Sequence, residues 1–245
     1  MKKTLAALCS LILLAVGCAP LRPEEAAATR TANLYSDDFA DTNSGWDRFQ
    51  NDTGATDYSN VGYVIFIKRP NIIKWANPNQ KFQNDIKIEV DAKRAEGPED
   101  NAFGVICRYQ DPDNFYYFYI SSDGYAGIGR KVQGTFNIIS APDGKLVKVE
   151  AVTGGTTTNH LRADCIGSTL SLYVNSTPVA TAFDAAFSGG DVGLIARTYA
   201  DGGADIIFSK FRVSQPSVPA AIGSQPALNP GPGSPAPLPL ATPTS

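Results

Sequence analysis

Histidine, methionine and tryptophan are scarce in this sequence, and the scarcity of histidine argues against several kinds of functional site. The 245 residues include one histidine, one methionine and two tryptophans. A single histidine argues against a metal site built from several imidazoles and against catalysis by histidine pairs. The formal net charge of −3 lacks the basic excess of a nucleic-acid-binding protein. The sequence therefore predicts neither a nucleic-acid partner nor a histidine-based active site.

Apolar runs are also short, and the most continuous one stands at the N-terminus. Lys2 and Lys3 precede an uncharged apolar stretch from Leu5 to Val16, which is the pattern of an export signal. The stretch is too short to remain as a transmembrane helix, and no later segment approaches the ~18 apolar residues that such a helix needs. We expect residues 1–17 to be a signal peptide and the mature chain to be extracytoplasmic.

The segment Ala15-Val16-Gly17-Cys18 resembles the lipobox of bacterial lipoproteins, although Ala15 stands where leucine is usual. This resemblance implies cleavage before Cys18 and attachment of diacylglycerol to its thiol. The alternative is an ordinary export signal that happens to end in cysteine. With lipid on Cys18, the chain would be anchored to a membrane of the bacterial cell envelope, because acyl chains partition strongly into a bilayer.

Two cysteines, Cys107 and Cys165, remain after Cys9 leaves with the signal and Cys18 is assigned to lipid. Both lie in predicted strands, and an exported chain with two remaining cysteines favours one disulfide. That bridge would close a loop of about 58 residues and add about 4 kcal/mol of stability on the chain-entropy account. The alternative is two buried free thiols.

Composition divides the mature chain into three parts. Residues 18–33 are small, polar and aperiodic, and they predict a lipidated tether. Residues 215–245 are rich in proline, alanine, glycine and serine, and they predict a disordered or extended tail. Residues 34–214 carry the strand signals, and we expect them to form the folded part.

Alternation with a period of two marks residues 34–214 as an all-β fold. In residues 82–93 the apolar side chains occupy one face and the charged ones the other, as in a half-buried antiparallel strand. Further strands are predicted at 63–68, 102–109, 115–121, 125–132, 135–140, 161–165, 169–175, 178–183, 191–196 and 205–213. Many short strands separated by turn residues predict an antiparallel two-sheet β-sandwich of the jelly-roll type.

Several short motifs follow one another along this strand-rich part. They include Asp38-Phe39-Ala40-Asp41, Ser44-Gly45-Trp46, Phe103 to Gln110, Asn114 to Tyr125, Asn159-His160-Leu161, Leu172 to Asn175 and Gly193 to Ala196. Their order resembles the concanavalin A-like, laminin-G-like jelly-roll domains of bacterial surface lipoproteins, which are related to 3-keto-disaccharide hydrolase-type domains. The resemblance implies a concanavalin A-like fold over residues 36–214 and inclines towards sugar as the ligand.

A catalytic carboxylate pair is not evident. Jelly-roll glycosidases carry two acids on one face of a strand, one as nucleophile and one as acid. Glu89 and Asp91 share a face, but Lys93 stands where the second glutamate of that motif would be. The segment is therefore interpreted as a solvated face of alternating charges, and His160 as an exposed residue. No catalytic residue is predicted, and a glycoside hydrolase-like enzyme remains an alternative.

Aspartates in two turns offer oxygen ligands for a metal ion. Asp111, Asp113 and Asn114 lie in one turn, and Asp201 and Asp205 flank another. Calcium prefers such ligands, but the spacing fits no defined calcium loop, and turn formation is the competing interpretation. We expect no cofactor other than this candidate structural calcium.

The hairpin of residues 102–121 suggests a ligand site. Pairing Gln110 with Phe115 places Arg108 opposite Tyr117 and puts Tyr119 on the same face. The other face holds Val105, Cys107, Tyr109, Tyr116, Phe118 and Ile120 and should be core. Aromatic rings beside a guanidinium suit sugar rings and hydroxyls. Arg108, Tyr117 and Tyr119 are therefore candidate ligand-binding residues; the alternative is an ordinary exposed sheet face.

Four further residues complete this hypothesis. Gly127 and Gly129 are expected opposite Tyr119 and Tyr117, where small residues leave a trough. Trp46 is expected to be a packing residue, whereas Trp75 is either a ligand contact at the rim of the sheet or part of the core. The sequence thus favours a lipid-anchored module that binds carbohydrate or another cell-surface ligand. Alternatives are the hydrolase and a structural envelope lipoprotein, and the oligomeric state is not predicted.

Overall fold

The computed structural model describes residues 31–83 and 85–217. The segments with period-two alternation form two stacked antiparallel sheets. Those ranges contain no helix, and hence no helical segment that could cross a membrane. The predicted signal peptide, Cys18, nearly all of the tether and most of the tail lie outside the described residues. The two-sheet jelly-roll sandwich predicted from the sequence is confirmed.

One sheet has nine strands. In chain order they are β1 (Asn33–Asp37), β2 (Phe49–Asn51), β3 (Gly54–Ser59), β4 (Gly62–Ile67), β7 (Ile86–Glu96), β13 (Asn159–Ile166), β14 (Thr169–Val174), β15 (Thr177–Phe183) and β17 (Ala204–Ser214). Their spatial order is β15-β14-β13-β7-β17-β4-β3-β2, and β1 pairs with the end of β17.

The second sheet has eight strands. They are β5 (Ile73–Ala76), β6 (Lys81–Phe82), β8 (Asn101–Asp111), β9 (Asn114–Ile120), β10 (Tyr125–Val132), β11 (Thr135–Ile138), β12 (Val147–Lys148) and β16 (Gly190–Thr198). The spatial order is β11-β10-β9-β8-β16-β5, while β12 pairs with β10 and β6 pairs with β16. Strands distant in sequence thus lie side by side in both sheets.

The main core lies between the sheets and follows the predicted alternation. Along β7, Ile86, Ile88 and Val90 are fully buried, whereas the charged residues between them face outwards. Trp46 is 4% exposed and packs edge-on against Phe211, with ring centroids 4.9 Å apart. The predicted packing role of Trp46 is confirmed.

A disulfide joins the two sheets through the core. Cys107 of β8 and Cys165 of β13 are bonded, with Cα atoms 6.9 Å apart. Both cysteines are fully buried. The predicted disulfide is therefore confirmed, and the alternative of two free thiols is excluded.

A bulge in β8 corrects the predicted faces of the hairpin. Near the turn Asp111 pairs with Asn114, but Cys107 pairs with Tyr116, so three residues of β8 stand against one of β9. Arg108 lies inside this bulge with a φ of 54°. Because bulged residues leave the regular alternation, the predicted placement of Arg108 beside Tyr117 is wrong. The predicted core position of Tyr109 is also wrong, since its ring stacks on Phe115 of the outer cluster.

Candidate functional site

The outward face of the eight-stranded sheet carries the two tyrosines of the predicted trough. Tyr119 pairs with Gly127 and Tyr117 with Gly129, as the sequence predicted. The Tyr117 ring lies directly over Gly129, where a Cβ atom would overlap it. The absence of a side chain at Gly129 is thus what lets the Tyr117 ring lie flat across β10.

These tyrosines belong to a second apolar cluster, separate from the core between the sheets. Tyr117 and Tyr119 are 2% and 1% exposed, and their ring centroids are 4.8 Å apart. Phe115, Phe136 and Ile195 pack in the same cluster. The two rings are therefore more deeply buried than the shallow trough expected from the sequence.

A cleft of about 560 Å³ opens above this cluster. Tyr117 and Tyr119 form part of its lining, together with Arg197 at the end of β16 and Tyr199 just beyond it. Leu146, in the segment between β11 and β12, lines it as well. The cleft thus combines aromatic rings, one guanidinium and a loop wall.

The polar atoms of the cleft's aromatic and basic side chains have no hydrogen-bond partner within residues 31–83 and 85–217; these side chains are Tyr117, Tyr119, Arg197 and Tyr199. The Tyr119 hydroxyl and the Arg197 Nε are fully enclosed and unpaired. By contrast, the hydroxyl of Tyr116, on the core side of the same strand, donates to Asp184 Oδ1 over 2.6 Å. Buried polar groups normally find partners, so the unpaired Tyr119 hydroxyl contrasts with the paired hydroxyl of Tyr116 on the same strand.

Burial also keeps the tyrosine hydroxyls of the cleft neutral. It raises the pKa of Tyr117 and Tyr119 well above the ordinary value, and the nearby Arg197 offsets only part of that increase. Burial raises the pKa of Tyr199 in the same way. Each hydroxyl therefore keeps its proton at neutral pH and is able to donate a hydrogen bond.

The predicted guanidinium of the site is replaced by a different arginine. Arg108 is 3% exposed and turns towards the other sheet, where Nη1 donates to the Gly167 and Phe187 carbonyls over 2.8 and 2.9 Å. Arg197 occupies the cleft instead. Arg197 comes two residues after Ile195 on β16 and therefore lies on the same face of the sheet. The strand predicted from the sequence ended at residue 196. The pairing of β16 with β8 also joins segments that are far apart in the sequence.

Trp75 lies on the same face as the cleft but is covered by the protein itself. The ring centroids of Trp75 and Phe115 are 5.6 Å apart, and the ammonium of Lys131 lies 5.1 Å from the Trp75 centroid. Lys131 Nζ is held there by the Pro112 carbonyl at 2.7 Å. Trp75 is half-buried and does not line the cleft, so the structure brings only Tyr117 and Tyr119 of the four predicted ligand residues together in it.

The opposite outer face carries a second cleft, of about 800 Å³, with a charged lining. Glu89 accepts a hydrogen bond from Arg212 over 2.6 Å, and Lys210 Nζ lies 2.9 Å from Asp91. His160 is partly exposed, as expected, and its Nδ1 lies 2.8 Å from Asp91. The negative charges of Glu89 and Asp91 are thus paired with basic side chains from β17 and β13.

Asp91 does not have the properties of a catalytic acid. Partial burial by itself would raise its pKa, but the hydrogen bonds from Lys210 and His160 outweigh burial, and the pKa is lowered. A general acid in glycoside hydrolysis needs a raised pKa. Glu89 and Asp91 are thus paired with opposite charges, as the predicted face of alternating charges implies, but their side chains are only 20% and 16% exposed and not fully solvated.

The side chains of the turn at Asp111, Asp113 and Asn114 contact the protein itself. Asp111 Oδ1 accepts hydrogen bonds from the Asp113 amide over 2.8 Å and from Asn114 Nδ2 over 2.9 Å. The Lys131 ammonium lies 3.2 Å from Asp113 and would repel a cation. Among the described residues no group of three or more histidine, cysteine or acidic side chains is arranged to hold a metal.

Comparisons with known proteins relate the chain to jelly-roll domains through structure alone. No protein family matches the sequence, and a search of curated proteins finds no relative. The carbohydrate binding module CBM66 from Bacillus subtilis matches with a TM-score of 0.56 and 18% identity, over 70% of this chain and 96% of its own.

Two other solved structures give similar values. A Bacillus subtilis protein of unknown function with a galectin-like fold has a TM-score of 0.53 and 10% identity, over 76% of this chain and 98% of its own. The Crh5 transglycosylase has a TM-score of 0.53 and 12% identity, over 75% and 85%. At such identities these likenesses establish the fold and not the activity.

Proposed function

We propose that this protein is a carbohydrate-binding module whose site is the cleft on the outer face of the eight-stranded sheet. The observation that carries the proposal is a set of polar groups at the cleft with no hydrogen-bond partner among the described residues: the hydroxyls of Tyr117 and Tyr199 and the guanidinium of Arg197, next to aromatic rings. Sugars present C–H faces to aromatic rings and hydroxyls to polar atoms. The structural likeness to a carbohydrate-binding module supports the same conclusion.

The test is a glycan array probed with the purified full-length protein. We expect selective binding of some glycans, and weaker binding after Tyr117→Phe or Tyr199→Phe, because each change removes one hydroxyl and keeps the ring. Tyr173→Phe is the matched control, since Tyr173 is on β14 of the other sheet. A hydroxyl that hydrogen-bonds the ligand contributes about 0.5–1.5 kcal/mol. Equal loss in all three variants, or no bound glycan, would contradict the proposal.

A glycoside-cleaving activity is the second candidate, because Asp100 and Asp123 also line the cleft. Two carboxylates flanking a bound sugar are the minimum for glycoside hydrolysis. If a bound oligosaccharide is shortened on incubation, and Asp100→Asn or Asp123→Asn stops this, the protein is an enzyme.

The proposal includes attachment to a membrane of the bacterial cell envelope through lipid on Cys18. The Ala15-Val16-Gly17-Cys18 segment after an apolar stretch supports this location. Mass spectrometry of the N-terminal peptide from the native host is the test. We expect a mature chain that begins at acylated Cys18; cleavage elsewhere or an unmodified thiol would contradict the anchor.

A further inference from the structure

Arg197 differs from every other arginine in residues 31–83 and 85–217. The other seven arginines each have a carboxylate within 4.0 Å: Arg48, Arg69, Arg94, Arg108, Arg130, Arg162 and Arg212. Arg197 is half-buried, yet it makes neither an ion pair nor a side-chain hydrogen bond with the described residues. Its positive charge therefore has no carboxylate partner within the described part of the chain.

The surroundings hold this guanidinium in place and orient it. Its Cζ lies 4.3 Å from the centroid of the Tyr199 ring, and the Nε is enclosed. The two Nη nitrogens are not enclosed. Since the ring fixes one side of the planar group and burial covers the Nε, the Nη edge is the part that a ligand in the cleft can reach.

An oriented guanidinium without a counter-charge is suited to a carboxylate. The two oxygens of a carboxylate accept parallel hydrogen bonds from a guanidinium, and such charge-assisted bonds are stronger than neutral ones. The neighbouring Tyr117 and Tyr199 hydroxyls are neutral donors, and Lys145 adds a second positive charge to the lining. A neutral sugar would meet the hydroxyls but leave the guanidinium uncompensated.

The acidic side chains of the cleft limit how much negative charge a ligand can carry. Asp100 and Asp123 also belong to the lining. Their two negative charges equal in number the two positive charges of Lys145 and Arg197. A densely charged polyanion would be repelled by these two carboxylates. A ring with one carboxylate and several hydroxyls matches this arrangement of donors and acceptors.

We infer that the cleft binds a sugar residue bearing a carboxylate, such as a uronic acid, with the carboxylate on the Nη edge of Arg197. This inference rests on the proposed carbohydrate binding. It adds a class of ligand, namely glycans with acidic monosaccharide units. It also assigns the preference for acidic over neutral sugars to one side chain. Arg197 is in this view the residue that distinguishes acidic from neutral sugars.

The test uses the full-length protein on a panel of uronic-acid and sialic-acid oligosaccharides, each printed beside its carboxyl-reduced, neutral form and a sulfated neutral form. We expect the best ligands to be acidic, with at least tenfold weaker binding of the reduced partner. Titration calorimetry of the best pair should show weaker acidic binding at high salt, because salt screens charge.

Variants locate the selectivity. Arg197→Met should weaken binding of the acidic form at least tenfold and binding of the reduced form to a much smaller extent, whereas Arg197→Lys should be intermediate. Arg48→Met, on an exposed ion pair of the other sheet, is the control and should change nothing. Thermal unfolding of each variant reports whether the fold persists, and removal of an uncompensated half-buried charge should not lower the melting temperature.

The outcomes separate the inference from the function beneath it. Equal or tighter binding of reduced forms overturns the acidic-sugar inference and leaves carbohydrate binding intact. Preference for the sulfated form overturns the choice of carboxylate. No binding to any glycan overturns both. Loss of neutral and acidic binding together in a folded Arg197→Met variant overturns the assigned selectivity.

Discussion

Two tyrosines on one strand, Tyr116 and Tyr119, have opposite energetic roles. Tyr116 donates to Asp184 and accepts from the Phe187 amide over 3.1 Å, whereas the Tyr119 hydroxyl has no partner in the described chain. We expect Tyr116→Phe to lower the free energy of unfolding by about 1–2 kcal/mol, because it removes two hydrogen bonds and leaves the Phe187 amide without its acceptor. Tyr119→Phe should leave stability unchanged or raise it.

Urea denaturation of both variants beside the wild type measures these changes. The comparison is internal, since both substitutions remove one oxygen from a buried ring. A loss of stability in Tyr119→Phe as large as that in Tyr116→Phe would show that the Tyr119 hydroxyl is satisfied in solution, and it would weaken the case for the cleft.

We expect Asp191 to make the stability of the folded protein depend on pH in the acidic range. The carboxyl is 4% exposed, and burial raises its pKa from 3.8 to about 6, despite hydrogen bonds from the Val192 and Gln80 amides. Between these values the folded chain binds more protons than the unfolded one, so stability falls as the pH rises from about 4 to about 6. The shift corresponds to about 3 kcal/mol.

The measurement is urea unfolding of wild type and Asp191→Asn at pH 4.5 and pH 7.5. The asparagine keeps an oxygen for the two amides and cannot ionise. We expect the wild type to lose more stability than the variant between the two pH values; parallel losses would mean that Asp191 titrates normally.

At the scale of single elements, Gly129 on β10 is the test of how the cleft is built. A Cβ atom there would overlap the Tyr117 ring, so Gly129→Ala must push the ring out of place. We expect about 1–3 kcal/mol of lost stability, as for overpacked sites, together with weaker glycan binding. Thr135→Ala, on the exposed start of neighbouring β11, should affect neither, and normal binding by Gly129→Ala would remove Tyr117 from the site.

The strands differ in how well the sequence predicts them. Alternation predicted β7 and β10 with the correct faces, because regular strands have a side-chain period of two. The short strands β2, β5, β6 and β12 carry too few residues for a period to be recognised. The bulge in β8 has no signature in side-chain period, and it accounts for the wrong placement of Arg108 and Tyr109.

The same bulge explains why Tyr117 and Tyr119 were placed correctly. It shifts the pairing of β8 and β9 by two residues, from Asp111–Asn114 near the turn to Cys107–Tyr116 beyond it. An even shift keeps every later side chain on its face. Arg197 could not be predicted in this way, because it reaches the cleft through the pairing of β16 with β8, which lies far away in the sequence.

At the scale of the whole molecule, the disulfide between Cys107 and Cys165 ties one sheet to the other across 58 residues of sequence. We expect the double variant Cys107→Ala, Cys165→Ala to be less stable by about 2–5 kcal/mol, because the unfolded chain regains the freedom that the bridge removes. Denaturant unfolding with and without reductant checks this. If reductant also destabilises the double variant, the loss does not come from the disulfide.

The first and last strands of the fold lie side by side, and this has a mechanical consequence. Asn33 pairs with Ser214, and the Gln215 amide donates to the Ala32 carbonyl over 3.0 Å. Residues 32 and 215, close to the two ends of the described chain, are therefore neighbours. Tension between a fixed support on one side and a load on the other would peel β1 from β17 first, while the cleft, built on the opposite sheet, would bear none of the force.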